Sequence, residues 1–325
     1  MENAVKRIGV LTSGGDAPGM NAAIRAVVRA CLYRGIDCVG IRRGYNGLIN
    51  GDIFKMDAGS VTHIINRGGT ILYTARSDEF RTEDGQKRAA GTCKLLGLDG
   101  IVAIGGDGTF RGAEALSEQG ISVVGIPATI DNDIACTDYT LGFDTASNTA
   151  VDAIDRLRDT MQSHERCSVV EVMGRNAGHL ALYVGLAVGA TAVLMPEVSV
   201  DFDRDVANKI RNARLSGKTH FMIVVAEGAG SAMEIGKKIK EALGLDPRVT
   251  ILGHIQRGGT PSARDRVMAT RMGYTAVDVL ASGKTNRLIC AKHGDMVDVD
   301  LEEGLSMKKG LNTQQLDALA AMTGL

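Results

Sequence analysis

The sequence predicts an α/β protein whose parallel sheets are covered by helices on both sides. Short apolar runs alternate along the chain with stretches in which apolar residues recur at helical spacing. This rhythm is typical of βαβ units, whose strands pair in parallel. The length of 325 residues suggests about two domains, and none of the five prolines interrupts a helical stretch. In such folds, ligands bind beyond the carboxyl ends of the strands.

The individual elements follow from the same periodicity. The runs predicted as strands are 8–12, 38–41, 100–104, 122–126, 168–172, 192–195, 220–226 and 250–252. The predicted helices are 21–34, 86–96, 109–119, 147–163, 179–189, 204–216, 233–243, 262–281 and 314–321. No repeat or low-complexity segment interrupts the series, and we place a domain break near 142–144, before a long predicted helix.

Composition and charge exclude several classes of protein. Hydrophobic residues make up 44% and charged residues 23%, which is typical of a globular chain rather than a disordered one. The net charge of −1 argues against nucleic acid as a partner. Residues 1–8 lack the apolar run of a signal peptide, and the weakly polar stretch 180–195 is too short to span a bilayer. We expect neither secretion nor a membrane partner.

The cysteines indicate a reducing compartment. Six are scattered along the chain without a C-x-x-C pair or a histidine cluster, at 31, 38, 93, 136, 167 and 290. This spacing argues against a structural zinc site and against a disulfide framework. We therefore expect a cytoplasmic protein.

Two glycine-rich segments are typical of phosphate sites. The segment 11–21, L-T-S-G-G-D-A-P-G-M-N, follows a predicted strand and precedes a helix, but it lacks the lysine of a Walker loop. The segment 105–110, G-G-D-G-T-F, repeats that arrangement. There Asp107, at a strand end, can hold Mg²⁺, and Gly108 leaves room for a nucleotide. Each segment alone is also compatible with a plain glycine turn.

Three further segments carry charged groups suited to phosphoryl transfer. In 127–133, P-A-T-I-D-N-D, one carboxylate can hold a metal and the other can accept a proton from an attacking hydroxyl. In 171–178, E-V-M-G-R-N-A-G, we expect Arg175 at the start of a helix, facing a transferring phosphoryl group. In 252–259, L-G-H-I-Q-R-G-G, His254 and Arg257 can hold a substrate phosphate, supported by Arg248. Ordinary turns and exposed side chains are the alternatives.

Taken together, these strings resemble the bacterial ATP-type 6-phosphofructokinase family. The strings T-S-G-G-D-A-P-G-M-N, G-G-D-G-T, T-I-D-N-D, V-M-G-R and G-H-I-Q-R-G-G occur in the family's order, and the likeness covers nearly the whole chain. The resemblance implies two Rossmann-like domains with mainly parallel sheets and an active site in the cleft between them. It implies an ATP-binding domain of 1–142 plus 256–304, and a fructose 6-phosphate-binding domain of 143–255 plus 305–325.

The resemblance also implies roles for individual residues. Asp131 matches the general base that accepts the proton of the sugar 1-hydroxyl, assisted by Thr129, while Arg76 and Arg175 match groups that stabilise the transferring phosphoryl. Positions that match nucleotide contacts are Gly15, Tyr45, Arg76, Ser77, Asp107, Gly108 and Thr109. Positions that match fructose 6-phosphate contacts are Thr129, Asp131, Arg166, Met173, Gly174, Arg175, Glu227, Arg248, His254 and Arg257. Asp107 and Asp133 match the Mg²⁺ site.

Assembly and donor choice follow from the same likeness. Arg166 and Arg248 match arginines contributed by a neighbouring subunit, so we expect a homotetramer with shared active sites. Pyrophosphate-using relatives carry an aspartate and a lysine at the places held here by Gly108 and Ala128, so the resemblance favours ATP.

The effector site departs from the family pattern. Arg25, Arg29, Arg158 and Lys218 match residues that bind ADP or phosphoenolpyruvate. Ala58, Thr191 and Ser216, however, stand where an arginine, a glutamate and a lysine are expected. We therefore expect weakened or altered regulation, and a solvated helix face is the alternative for Arg25 and Arg29.

Three rival functions stay open at this point. A pyrophosphate-dependent enzyme differs only in its donor. A kinase for another acceptor would not need the arginines and the histidine that match a sugar-phosphate site. The third is a non-catalytic sugar-phosphate-binding or regulatory paralogue. Such a protein would be expected to have lost Asp131 or Arg175, and both are present.

Overall fold

The computed structural model describes residues 5–164 and 166–323. The parts of the predicted domains and of the 1–8 segment that fall on 1–4, 165 and 324–325 lie outside these described residues. The chain divides into two compact units. Unit 1 comprises Met1–Thr129, Ile134–Thr145 and Arg257–Lys309, and unit 2 comprises Ile130–Asp133, Ala146–Gln256 and Gly310–Leu325.

Unit 1 contains a seven-stranded, mainly parallel sheet in the order β11-β10-β5-β4-β1-β2-β3. Its strands are β1 Arg7–Thr12, β2 Asp37–Ile41, β3 Ile53–Met56, β4 Gly100–Gly105, β5 Val123–Pro127, β10 Arg287–Lys292 and β11 Asp295–Asp300. The five inner strands run parallel, whereas both edge strands, β3 and β11, pair antiparallel with their neighbours. The parallel strands are buried on both faces, which explains why they appear in the sequence as continuous apolar runs.

Helices cover this sheet. They are α1 Met20–Tyr33, α2 Gly44–Asn50, α3 Glu83–Leu95, α4 Asp107–Glu118, α9 Ala263–Ala281 and α10 Leu301–Ser306. Phe110 of α4 and Leu48 of α2 are fully buried in the core of unit 1. The helix α5, Phe143–His164, begins in unit 1 and continues in unit 2.

Unit 2 contains a four-stranded, fully parallel sheet in the order β7-β8-β6-β9. Its strands are β6 Cys167–Val172, β7 Ala192–Leu194, β8 Phe221–Ala226 and β9 Arg248–Ile251. Its remaining helices are α6 His179–Ala187, α7 Asn208–Leu215, α8 Ala232–Leu243 and α11 Thr313–Thr323. Phe221 and Val206 are among the buried residues of its core.

The α/β class and the mainly parallel sheets are confirmed, but several elements were missed. The apolar patterns of the sequence do not predict β3, α2, α10 or the hairpin of β10 and β11. The sequence of β11 is D-M-V-D-V-D. Its three acidic residues interrupt the apolar pattern by which a strand is recognised in the sequence. The predicted helix 204–216 begins instead as a π-helical segment, Asp203–Ala207. Among helices formed by the described residues, none has the length and apolar character needed to cross a bilayer.

Candidate active site

The strand order of unit 1 creates a place for a ligand at the end of the central strands. The strands β1 and β4 are parallel neighbours; the chain runs from β1 through α1 to β2 on one side, and from β4 through α4 to β5 on the other. The order of the strands therefore reverses between β1 and β4, and such switch points bind ligands in open α/β sheets. Both glycine-rich segments follow these two strands, as predicted.

The two glycine-rich segments are joined by hydrogen bonds. The hydroxyl of Thr109 donates to the carbonyl of Ser13 at 3.0 Å, and the N–H of Ser13 donates to the carbonyl of Ile104 at 3.1 Å. A Cβ on Gly105 would lie only 2.5 Å from the Ser13 oxygen, so a larger residue would separate the segments. Glycine at this position lets the two loops meet beside the free N–H groups at the start of α4.

The predicted nucleotide residues Gly15, Asp107 and Gly108 lie at this edge. Gly15 and Gly108 are exposed, and nothing lies within 4 Å of the place that a Cβ on Gly108 would occupy. Asp107 is the first residue of α4 rather than the end of a strand, which corrects our expectation, since β4 ends at Gly105. Its carboxylate is 46% exposed and accepts from Nε of Arg111 at 2.9 Å.

The segment that carries Arg76 and Ser77 is anchored at the end of β1. The hydroxyl of Thr12 donates to the carbonyl of Tyr73 at 2.8 Å and lies 2.9 Å from the hydroxyl of Thr70. Arg76 is exposed, whereas Ser77 accepts from the N–H of Phe80 at 3.2 Å. Thr12 was not singled out from the sequence, because a threonine at a strand end carries no distinctive pattern.

The hydroxyl of Tyr45 contacts the second glycine-rich segment, 105–110. The ring is buried and stacks on Phe80 with 4.2 Å between centroids, and the hydroxyl donates to the carbonyl of Thr109 at 2.6 Å. Burial raises the pKa of Tyr45, so the phenol stays protonated. The Tyr45 hydroxyl thereby supports the first turn of α4.

Arg257 contacts the first glycine-rich segment within unit 1. Its Nη1 donates to the carbonyl of Asp16 at 3.4 Å, and a Cβ on Gly15 would lie 2.6 Å from that nitrogen. The guanidinium therefore occupies the space beside the backbone of Gly15. The predicted role of Arg257 toward the sugar phosphate stays a prediction.

In unit 2, the carboxyl ends of three strands bring together the predicted acceptor residues. Met173, Gly174 and Arg175 follow β6, Glu227 follows β8, and His254 lies in a 3-10 turn, Gly253–Arg257, after β9. The Glu227 carboxylate accepts from the backbone N–H of Gly174 at 3.2 Å and of Arg175 at 2.6 Å.

The backbone of Arg175 has a left-handed conformation, with φ of 57°. Our expectation that Arg175 starts a helix is wrong: the residue lies in a turn, and α6 begins only at His179. Non-glycine residues adopt this conformation only when their surroundings hold them there, and Glu227 supplies that constraint.

Gln256 is a residue of this site that sequence reasoning missed. Its side chain is fully buried, and its Oε1 accepts from the N–H of Met173 at 2.9 Å. The glutamine stands inside the string G-H-I-Q-R-G-G, but nothing in that string predicts which strand end it supports.

The loop after β5 carries the two predicted carboxylates. Asp131 is 6% exposed and Thr129 9% exposed, so both are buried polar groups. The carbonyl of Thr129 accepts from the hydroxyl of Thr140 at 2.6 Å in unit 1, whereas Ile130–Asp133 belongs to unit 2 with the other acceptor residues. Asp133 is half-buried.

The two arginines predicted to serve a neighbouring subunit lie in unit 2. Arg248 is exposed on the edge strand β9, near Asp246 at 3.5 Å, and Arg166 is half-buried just before β6. Their role across an interface stays a prediction.

The predicted effector residues fall into two groups. In unit 1, Arg25 and Arg29 lie on α1 as expected, and Ala58 is exposed. In unit 2, Nζ of Lys218 lies 3.4 Å from the hydroxyl of Thr191, and Arg158 donates to the carbonyl of Val188. Ser216 ends α7.

The unit 2 group also includes His220, which no sequence pattern indicates. Burial lowers the pKa of Lys218 and of His220, and the charge of Arg158 lowers both further. His220 therefore lies near the positive charges of Lys218 and Arg158, which together with burial favour its neutral form. A lone histidine before a strand gave no signal in the sequence.

Comparisons with known proteins identify the family of this chain. The phosphofructokinase family model matches residues 7–280. A relative from Clostridium botulinum (strain Loch Maree / Type A3), named ATP-dependent 6-phosphofructokinase, is 55% identical over 313 residues, which cover 96% of this chain and 98% of the relative.

Solved structures show the same fold. The phosphofructokinase of Saccharomyces cerevisiae superimposes with a TM-score of 0.87 at 34% identity, over 98% of this chain, which spans only 46% of the yeast chain. A pyrophosphate-dependent phosphofructokinase from Marinobacter aquaeolei superimposes with a TM-score of 0.86 at 20% identity over 98% of this chain and 92% of its own, a likeness of fold alone. The chain belongs to the phosphofructokinase family.

Proposed function

We propose that this protein is an ATP-dependent 6-phosphofructokinase, a phosphotransferase that converts fructose 6-phosphate and ATP into fructose 1,6-bisphosphate and ADP. The observation that carries the proposal is the 55% identity, over 98% of its length, to a relative that bears this name. The exposed position of Gly108 supports it, because nothing in the chain lies within 4 Å of the place that a Cβ on Gly108 would occupy.

In the proposed reaction, unit 1 binds ATP and unit 2 binds fructose 6-phosphate. On the donor side, the backbone N–H groups of Gly15 and of the first turn of α4 face the phosphates, since a helix start attracts anions. Arg76 and Ser77 extend this site from the segment anchored by Thr12. Tyr45 supports it through the Thr109 carbonyl.

On the acceptor side, the carboxylate of Asp131 accepts the proton of the sugar 1-hydroxyl. The freed oxygen forms a bond to the γ-phosphorus as the bond from that phosphorus to the ADP oxygen breaks. Thr129 orients the acceptor, and Arg76 and Arg175 bind the oxygens of the transferring group, whose charge must be neutralised. The sugar phosphate is held by Arg166, Arg248, His254 and Arg257, while Met173, Gly174 and Glu227 position the sugar.

The residues present fit a bound Mg²⁺. Among the described residues, no group of three or more histidine, cysteine or carboxylate side chains forms a metal cage. Mg²⁺ does not require one, because it is usually held by one or two carboxylates together with substrate phosphates and waters. Asp107, 46% exposed beside the open Gly108, would hold it, with Asp133 as a second ligand. Bound there, the ion would neutralise charge on the phosphate oxygens.

We further propose a homotetramer in the cytoplasm. The assembly is supported by the two arginines of unit 2 that match residues shared between subunits in this family, Arg166 and Arg248. The compartment is supported by all six cysteines being free thiols, as expected in reducing surroundings.

We also propose weakened control by phosphate effectors. Ala58, Thr191 and Ser216 replace the charged residues expected at those places, and Lys218 faces a threonine hydroxyl. Titration of activity with ADP and with phosphoenolpyruvate tests this, and a saturable response to either would contradict it.

The experiment that tests the main proposal is an assay for fructose 1,6-bisphosphate with fructose 6-phosphate and Mg²⁺, run in parallel with ATP and with pyrophosphate. We expect product with ATP and none with pyrophosphate. Product with pyrophosphate alone would overturn the donor assignment, and no product with either donor would overturn the activity.

A further inference from the structure

Two thiols from distant parts of unit 1 lie in contact. The sulfur of Cys290, on β10, donates to the sulfur of Cys136, on the loop after β5, at 3.4 Å. The two residues are 154 positions apart in the sequence. Both side chains are buried, at 1% and 0% exposure.

The backbone around the two thiols is held in place by hydrogen bonds between the same two segments. The N–H of Ala291 donates to the hydroxyl of Thr137 at 2.9 Å, and the N–H of Asp138 donates to the carbonyl of Ala291 at 2.9 Å. The N–H of His293 donates to the carboxylate of Asp138 at 2.9 Å. The short distance between the sulfurs is therefore a consequence of the fold.

The surroundings distinguish Cys136 from two equally buried thiols. The hydrogen bond from Cys290 lowers the pKa of Cys136 despite burial, and the charges of Lys292 and Lys309 act in the same direction. Burial instead raises the pKa of Cys93 and of Cys167 to about 12. Since the thiolate is the nucleophile, the lowered pKa favours attack by Cys136 over attack by the other two thiols.

We propose that Cys136 and Cys290 form a reversible disulfide when a hydroperoxide reaches them, and that this modification slows turnover. The Cys136 thiolate attacks one oxygen of hydrogen peroxide, the O–O bond breaks, and a sulfenic acid forms as hydroxide leaves and takes up a proton to give water. The Cys290 sulfur then attacks the Cys136 sulfur and the S–O bond breaks, and the leaving hydroxide takes up the thiol proton of Cys290 to give a second water. Two thiols and one peroxide thus give one disulfide and two waters.

The effect on turnover follows from the position of Cys136. The sulfurs must approach from 3.4 Å to about 2.05 Å, which displaces the loop after β5. Cys136 stands five positions after Asp131, the proposed general base, in the same loop. Since a misplacement of about 1 Å can slow a positioned reaction by about 10²-fold, we expect this displacement to slow the proton transfer.

The test uses the full chain, reduced and then exposed to hydrogen peroxide. Remaining thiols are blocked after unfolding, and the digested protein is mapped by mass spectrometry. We expect a pair of peptides joined through Cys136 and Cys290, with a mass two hydrogens below the sum of the two reduced peptides. We also expect kcat to fall several-fold on oxidation and to return to its original value when dithiothreitol is added. Cys136→Ala and Cys290→Ala should abolish both effects, whereas the matched buried controls Cys93→Ala and Cys167→Ala should keep them.

Three results would overturn the proposal. The first is that both thiols stay free while the oxidant modifies other cysteines. The second is a cross-link between a different pair, such as Cys31 and Cys38. The third is a complete Cys136–Cys290 cross-link with unchanged kcat. The peptide map of the wild-type protein does not depend on catalysis or on the variants folding, so it stays informative if the proposed function fails.

Discussion

The carboxylate of Glu227 accepts the backbone N–H of Arg175 at 2.6 Å, and thereby ties the end of β8 to the turn after β6. Because Arg175 has a positive φ, its backbone would relax without this acceptor. The backbone of the proposed phosphoryl-binding arginine is thus held by a carboxylate that follows another strand.

The first prediction concerns that carboxylate. Glu227→Ala should lower kcat about tenfold or more, because hydrogen bonds to charged groups contribute roughly 1.5–3 kcal/mol. Glu227→Gln should recover part of kcat, since its amide oxygen can still accept both N–H groups. Steady-state kinetics with ATP and fructose 6-phosphate measure this. The exposed Glu234→Ala, on α8, is the control, and equal loss in Gln and Ala variants would contradict a positioning role.

The second prediction concerns the proposed general base. Asp131→Ser should lower kcat by roughly 10²–10⁴-fold, the usual contribution of a positioned base. The KM for fructose 6-phosphate should stay within a few-fold, because the sugar phosphate is held by other residues. Asp152→Ser removes an exposed carboxylate of α5 and should leave kcat unchanged. A near-normal kcat for Asp131→Ser would remove this residue from the mechanism.

The third prediction separates nucleotide binding from stability at Gly108. A Cβ there meets nothing in the chain, so Gly108→Ala should fold and gain up to about 1 kcal/mol from helix propensity. The added methyl should nevertheless raise the KM for ATP several-fold if the nucleotide covers this position. Gly91→Ala is a matched control, because Gly91 is an exposed helical glycine of α3 with equally open surroundings. A KM for ATP that is unchanged in both variants would place the nucleotide elsewhere.

The fourth prediction concerns Asp265, a fully buried carboxylate of α9. It accepts from the N–H of Gly142 at 2.8 Å, from the N–H of Thr145 at 2.9 Å and from the hydroxyls of Tyr139 and Thr145. Asp265→Ala removes the acceptor of these four buried hydrogen bonds and should lower the free energy of unfolding by about 3 kcal/mol or more.

Denaturant unfolding measures the effect. Asp278→Ala, on the same helix but half exposed, should cost less than about 1 kcal/mol. Similar losses in the two variants would show that the buried hydrogen bonds are not the cause.

The fifth prediction concerns pH. Burial, the largest influence, raises the pKa of Asp298, but hydrogen bonds from Lys284 and Arg287 together with their charges lower it below its usual value. A lowered pKa stabilises the fold above the unfolded-state value and loses that contribution as pH falls through the folded-state value. Asp298→Asn should therefore cost about 1 kcal/mol near neutral pH and flatten the acid side of the stability curve.

Unfolding free energies measured from neutral to acidic pH test this expectation. Asp295→Asn, at the exposed start of the same strand, should leave the curve unchanged. An acid side that is equally steep in wild type and Asp298→Asn would exclude this carboxylate as the cause.

The sequence by itself determined the local structure of the proposed nucleotide site in unit 1. The continuous apolar runs of β1 and β4, each followed by glycines and a helix start, need only neighbouring residues to be recognised, because strand burial and helix initiation are local properties. The same holds for the order of the five motif strings, from which the family could be inferred. The edge strands β3 and β11 were not predicted, because half-exposed strands carry a weaker apolar pattern in the sequence.

Only the tertiary structure decided which side chains support the proposed site. Glu227 acts on a turn 52 residues away, Gln256 on a strand end 83 residues away, and Cys290 on a thiol 154 residues away. Such pairings depend on the order of strands within each sheet, which local periodicity does not encode. The physical reason is that parallel strands distant in the chain end at the same edge, where their terminal residues meet.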